Sequence, residues 1–125
     1  DLQVVKTSYS IDNGAKAFDT LMKQPGPPTA VLCGNDVLAV GALRQAHHLG
    51  IKVPKDVSIL GFDDIELAQV AYPALTTMRV PHREMGRTAA QTLVNMVKNG
   101  VAGEGILLTP KLILRDTLGD APGAS

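Results

Sequence analysis

The densest group of potentially reactive side chains is Asp63-Asp64, with Glu66 close behind. Two adjacent carboxylates after a strand can hold a hard cation through oxygen ligands. They can equally be one acceptor for a polar ligand and one helix cap, because a carboxylate accepts from two neighbouring hydroxyls, as a sugar diol presents them. The plainest alternative is a capping residue beside a solvated one. Asn35-Asp36 follows Gly34 at a turn. One of the two caps the next helix, and an Asn there also has donors to offer a ligand. Tyr9 is either a rim or core residue, or a ring that stacks on the apolar face of a sugar while its hydroxyl hydrogen-bonds. His47 and His48 suit a helix C-terminus, whose dipole favours a cation. His82 is a ligand candidate by position alone, at a strand-to-helix junction. The three histidines lack zinc-binding spacing. Arg79, Arg83 and Arg87 form a short basic stripe, read as a solvated face. Cys33 sits in an apolar run with no base beside it in sequence. Neither a Gly-x-Ser-x-Gly elbow nor a Walker loop is present, so no catalytic constellation emerges.

These residues need elements to position them. Residues 2–5 are β-prone. Residues 11–22 have helical spacing, with Ala15, Phe18, Leu21 and Met22 on one face. Pro25 to Pro28 forbid helix and strand alike. Residues 29–33 predict a buried strand, followed by a helix to about Leu49 that Gly50 ends in a left-handed conformation. Residues 57–60 form the next strand, 64–70 a short helix, and 76–80 a β-branched strand. Residues 81–98 carry the strongest helical pattern, with Met85, Ala89, Leu93 and Met96 on one face and Gly100 at the end. Residues 106–108 and 112–114 read as short strands broken by Pro110. This alternation predicts an α/β fold, a parallel sheet flanked by helices. Ligands of such sheets sit at the carboxyl ends of the strands. Tyr9, Asn35 and Asp63 all fall there.

Composition narrows the partners. The chain has 125 residues, 45% of them hydrophobic, enough for one domain with a core. Lys and Arg number 12, and Asp and Glu also 12. A domain that binds DNA by itself is usually basic, so DNA binding by these residues alone is disfavoured. The single cysteine excludes an internal disulfide and a cysteine zinc cluster, and a free thiol fits a reducing compartment. No run approaches a membrane span. The first residues lack an initiator Met and a signal-peptide pattern, which suggests a fragment or processed product of a cytoplasmic protein. Aromatics are only 3% of the chain. That scarcity argues against a many-ringed ligand box and singles out Tyr9.

Taken together, several motifs become recognisable. They are Pro28-Thr29-Ala30-Val31 through Gly34-Asn35-Asp36, Ala39-Val40-Gly41-Ala42-Leu43, and Gly50 to Ser58 with its Val53-Pro54-Lys55-Asp56-Val57-Ser58. Further along stand Gly61-Phe62-Asp63-Asp64 paired with Pro73-Ala74-Leu75-Thr76-Thr77, then Gly86, and finally Leu112-Ile113-Leu114-Arg115-Asp116. In this combination the sequence from about residue 9 to 117 resembles the effector-binding domain of the lactose-repressor family of bacterial transcription regulators.

The resemblance implies an incomplete periplasmic-binding-protein type I fold: residues 1–117 as the C-terminal portion, and 118–125 as a flexible tail. It implies effector contacts from Tyr9, Asn35, Asp63 and His82, and a homodimer surface including Val40, Ala71 and Tyr72. It also implies a small polar effector, a carbohydrate by preference, with no cofactor, no metal and no enzymatic activity. DNA would be reached only through residues upstream of this chain. The helix over 81–98 would present its apolar face to a lobe that is missing, so repacking, swapping or association through that face is expected. The alternatives are a sugar-binding protein of periplasmic transport, which shares the fold, and an enzyme with a metal at Asp63, Asp64 and Glu66.

Overall fold

The computed structural model describes residues 2–100 and 102–123. Helix α1 (Ile11–Met22) starts where Ser10, in extended backbone, accepts the Asn13 N–H on its hydroxyl at 3.1 Å. It buries Ala15, Phe18 and Leu21, the spacing of one helical face. Strand β1 (Ala30–Leu32) follows the proline-rich turn. Helix α2 (Asp36–His48) is capped by Asn35, whose Oδ1 accepts the Leu38 N–H at 3.0 Å. It ends in a double-bonded stop: Gly50 N–H to His47 O and Ile51 N–H to Ala46 O, with Gly50 at φ 70°.

Strand β2 (Ser58–Asp63), the short helix α3 (Glu66–Val70) and strand β3 (Thr76–Arg79) complete the central pattern. β1 pairs with β2 and β2 with β3, both in parallel register (Val31 with Ile59, Leu60 with Thr76). β4 (Lys111–Ile113) extends the sheet beyond β3, in the order β1-β2-β3-β4. The core gathers Phe18, Ile59, Leu75 and Val57 between this sheet and the α1–α2 pair.

Two glycines set how closely α1 and α2 approach. A Cβ on Gly41 would lie 2.1 Å from the Ile11 carbonyl oxygen, and one on Gly14 would lie 2.2 Å from that of Leu38. Only hydrogen fits between the two backbones. That contact fixes the start of α1, and with it Tyr9, against the start of α2.

The chain is clustered into two compact units, one running to Arg79 and resuming at Leu112, the other Val80–Lys111. In the first, the segment after β4 threads back into the sheet. Thr117, fully buried, donates its hydroxyl to Ile59 O and accepts the Thr76 N–H, while Gly119 N–H reaches the Ser58 hydroxyl. Of the expected tail, residues 124 and 125 lie outside the described residues. The second unit contains helix α4 (His82–Asn99), which ends at Gly100 with φ 67°. No residue of α4 is buried. Its Met85, Leu93 and Met96, with the returning Ile106 and Leu107, line an apolar groove of about 530 Å³.

Two expected strands do not form. Residues 2–5 alternate between exposed and half-buried as a strand would, but no ladder joins them to β1. A cavity of about 500 Å³, lined by Leu2, Val5, Phe18, Val31 and Leu38, lies at that place. A strand requires a neighbouring edge to pair with at about 4.8 Å, and alternation within one segment does not supply it. Residues 106–108 also stay out of the sheet; only Lys111–Ile113 enters a ladder.

Candidate functional site

The carboxyl ends of β1 and β2 carry Asn35 and Asp63, and Tyr9, from the loop before α1 and not from a strand, lies beside Gly34 there. Tyr9 is 69% exposed, and its ring edge comes close to Gly34: a Cβ there would sit 3.3 Å from Tyr9 Cε1. Asn35 spends its Oδ1 on the α2 cap; among the described residues its Nδ2 donates to nothing. Asp63 is the last residue of β2, half-buried, and its carboxylate accepts no hydrogen bond among the described residues. His82 is exposed and opens α4, so it belongs to the second unit.

The neighbouring carboxylate behaves differently. Asp64 has a side chain only 2% exposed, and both oxygens are taken. Oδ1 accepts from Arg115 Nη2 and Oδ2 from Arg79 Nε, each at 2.6 Å. Burial pushes the Asp64 carboxyl up, but the hydrogen bonds and charges of the two guanidinium groups outweigh it and hold it below the ordinary carboxylate value. A metal would have to displace an arginine here, and Glu66 is exposed. Among the described residues no group of three His, Cys, Asp or Glu side chains is arranged to hold a metal ion.

The backbone explains how two adjacent acids separate. Asp63 has φ 110° and Asp64 φ 58°. Positive φ is uncommon outside glycine, and Asp63 lies beyond even the left-handed helical well. Such a conformation costs about 1–3 kcal/mol and persists only where the surroundings over-determine it. The surroundings are Asp64, bound by two arginines, and then Ile65, whose N–H is accepted by Asp36 Oδ2 at 2.9 Å.

Asp36 does more than the helix capping that its position suggests. It is fully buried, and its other oxygen accepts the Thr77 hydroxyl at 2.5 Å. Asn35 does the capping and Asp36 ties α2 to β3 and to the turn after β2. Gly61 makes room for it, since a Cβ there would lie 2.2 Å from Asp36 Oδ1. Arg79 is also corrected: it is an ion-pair partner of Asp64 and not simply part of a solvated stripe. Arg115 contributes from a position that local sequence scarcely marks. It is 14% exposed, and it also donates to the Leu75 carbonyl. Its only local signal is an arginine ending an apolar run. Cys33 is buried, and burial, with the Asp36 charge second, pushes its thiol up to about 12.

Of the expected dimer residues, Val40 is half-buried on α2 and Ala71 packs against the core. Tyr72 is 98% exposed beside a cis Tyr72-Pro73 bond. None of the described helices is long and apolar enough to cross a membrane.

Residues 2–118 match the model of the periplasmic binding protein-like domain. The HTH-type transcriptional repressor CytR of Escherichia coli K12 is 42% identical over 113 residues, 90% of this chain but 33% of the repressor. The chain thus spans about a third of the length of that curated relative. A putative LacI transcriptional regulator of Bacillus cereus subsp. cytotoxis superimposes with a TM-score of 0.85 at 35% identity, over 89% of this chain and 40% of that one. A LacI family regulator of Arthrobacter sp. FB24, solved in complex with lactose, gives 0.78 at 27% identity, over 88% and 42%.

Proposed function

Because this chain belongs to the periplasmic binding protein-like family, as the C-terminal part of a lactose-repressor-type effector domain, we propose that it is the effector-sensing and dimerisation part of a DNA-binding repressor. The observation that carries the reading is the unpartnered Asp63 carboxylate, held at the carboxyl end of β2 beside an acid whose oxygens are both occupied. A carboxylate so presented accepts from two vicinal hydroxyls. Tyr9 offers an exposed ring for the apolar face of a sugar, and Asn35 offers free amide donors. The effector is therefore a small polar molecule, by preference a carbohydrate; the lactose complex of the Arthrobacter regulator favours the same class. His82 is a further proposed contact on residue type alone.

The role is non-enzymatic and cytoplasmic. The effector would favour one conformation of the sensor over another by its differential affinity, and a homodimer would transmit that bias to DNA-binding segments outside this chain. Val40, Ala71 and Tyr72 are the proposed dimer contacts. The near-complete exposure of the Tyr72 ring supports an association role.

The test is calorimetric titration of the longer repressor carrying this chain with a panel of mono- and disaccharides and nucleosides, repeated with Asp63→Asn. Loss of the binding heat in the variant is expected. An isotherm unchanged by the substitution would remove Asp63 from the site.

A further inference from the structure

Asp63 adopts a backbone angle that its own residue type does not favour, and nothing on its side chain holds it there. The restraint comes from the two residues that follow. Asp64 is locked through both carboxylate oxygens, by Arg115 from within the fold and Arg79 from the rim. The N–H of Ile65 is locked by the buried carboxylate of Asp36. Asp36 is itself held by Thr77 on β3, and Arg115 by the carbonyl of Leu75, the residue before β3. Both anchors therefore refer the turn after β2 to the same neighbouring strand. The anchors come from 29 and 51 residues away in sequence, so the turn cannot relax by a local adjustment.

We infer that Asp36 and Arg115 are positioning residues for effector recognition: they hold the 63–64 turn so that the Asp63 carboxylate faces outward while that of Asp64 turns in. This rests on the reading of Asp63 as an effector contact and deepens it. Neither residue need touch the effector. Asp36 is fully buried, and the Arg115 guanidinium is committed to Asp64 and Leu75. Two acids of equal chemistry are thereby made unequal, one structural and one free to accept hydroxyls. Exchanging their roles would require both anchors to break.

The closing experiment uses no ligand. NMR of the isotopically labelled chain reads the sign of φ at Asp63 from its one-bond Cα–Hα coupling, alongside thermal melting. Arg115→Gln is expected to move Asp63 from φ 110° to negative φ, or to split its signals between the two. A variant that melts earlier but keeps Asp63 at positive φ would overturn the inference, since a merely structural arginine would behave that way. If Arg115→Gln does not fold, Thr77→Val serves instead, because it removes the hydroxyl that holds the Asp36 anchor while keeping a β-branched side chain of similar shape. A partial shift toward negative φ supports the inference, and an unmoved Asp63 overturns it. A carbohydrate screen without a hit would remove the effector reading and leave this conformational result standing, so the two failures are distinct.

Discussion

Neutralising Asp64 and neutralising Asp63 should have opposite consequences, although the residues are chemically identical neighbours. Asp64→Asn leaves an amide where two guanidinium groups converge at 2.6 Å. The amide oxygen can accept from one of them, and its NH2 then faces the other. A hydrogen bond to a charged group contributes about 1.5–3 kcal/mol. That figure applies to Arg115, which is mostly buried and cannot turn to water. Arg79 is largely solvated, so its share falls to the surface value, up to about 1 kcal/mol. The sum is about 2–4 kcal/mol, a large part of the total for a domain of this size. Asp63→Asn removes no hydrogen bond among the described residues and should change stability by no more than about 0.5 kcal/mol. Urea denaturation followed by circular dichroism separates the two. With an m-value of about 2 kcal/mol/M, the Asp64→Asn midpoint should fall by roughly 1–2 M while that of Asp63→Asn stays in place. Equal drops would refute the division of labour, because the Asp63 carboxylate would then also be engaged in the fold.

Three further outcomes follow from the same geometry. Because the arginines hold the folded Asp64 carboxyl below its ordinary value of 3.8, its contribution is fully present above that value and is lost as pH falls through the lower folded value; acid titration of Asp64→Asn should show a shallower loss of stability below about pH 4. Cys33, raised from 9.0 to about 12, should react with a thiol reagent at pH 8 roughly a thousandfold more slowly in the native chain than in urea, and a native rate near the unfolded one would contradict its burial. Gly41→Ala gains about 1 kcal/mol in helix propensity, but its methyl would meet the Ile11 carbonyl at 2.1 Å, and the forced separation of two helix backbones should cost more, for a net loss of about 1–3 kcal/mol by thermal melting.

Local rules made much of the fold legible. Apolar spacing placed α1 and α2, Asn35 sits where a cap belongs, and Gly50 and Gly100 both end helices at positive φ. These features depend on neighbours within a turn or two of chain, which is the range that periodicity and capping report. Residues 2–5 show the limit of that rule. Their alternation is strand-like, yet a strand also needs an edge to pair with, and the pattern of one segment says nothing about its partner.

The site divides along the same line. Strand-turn-helix alternation in the sequence was enough to put Asn35 and Asp63 at the carboxyl ends of β1 and β2, whereas the strand expected to lead into Tyr9 does not form. The sequence also assembled the motifs by which the family is recognised. Which of the two adjacent acids is free depends on contacts between distant parts of the chain. Asp64 is claimed by Arg115 across 51 residues, and the turn after it by Asp36, which a local reading assigns to capping. Hydrogen bonds of that span are set by the packing of β2 against β3 and by the return of the chain after β4. Identical side chains in adjacent positions carry no mark of which one the fold will use.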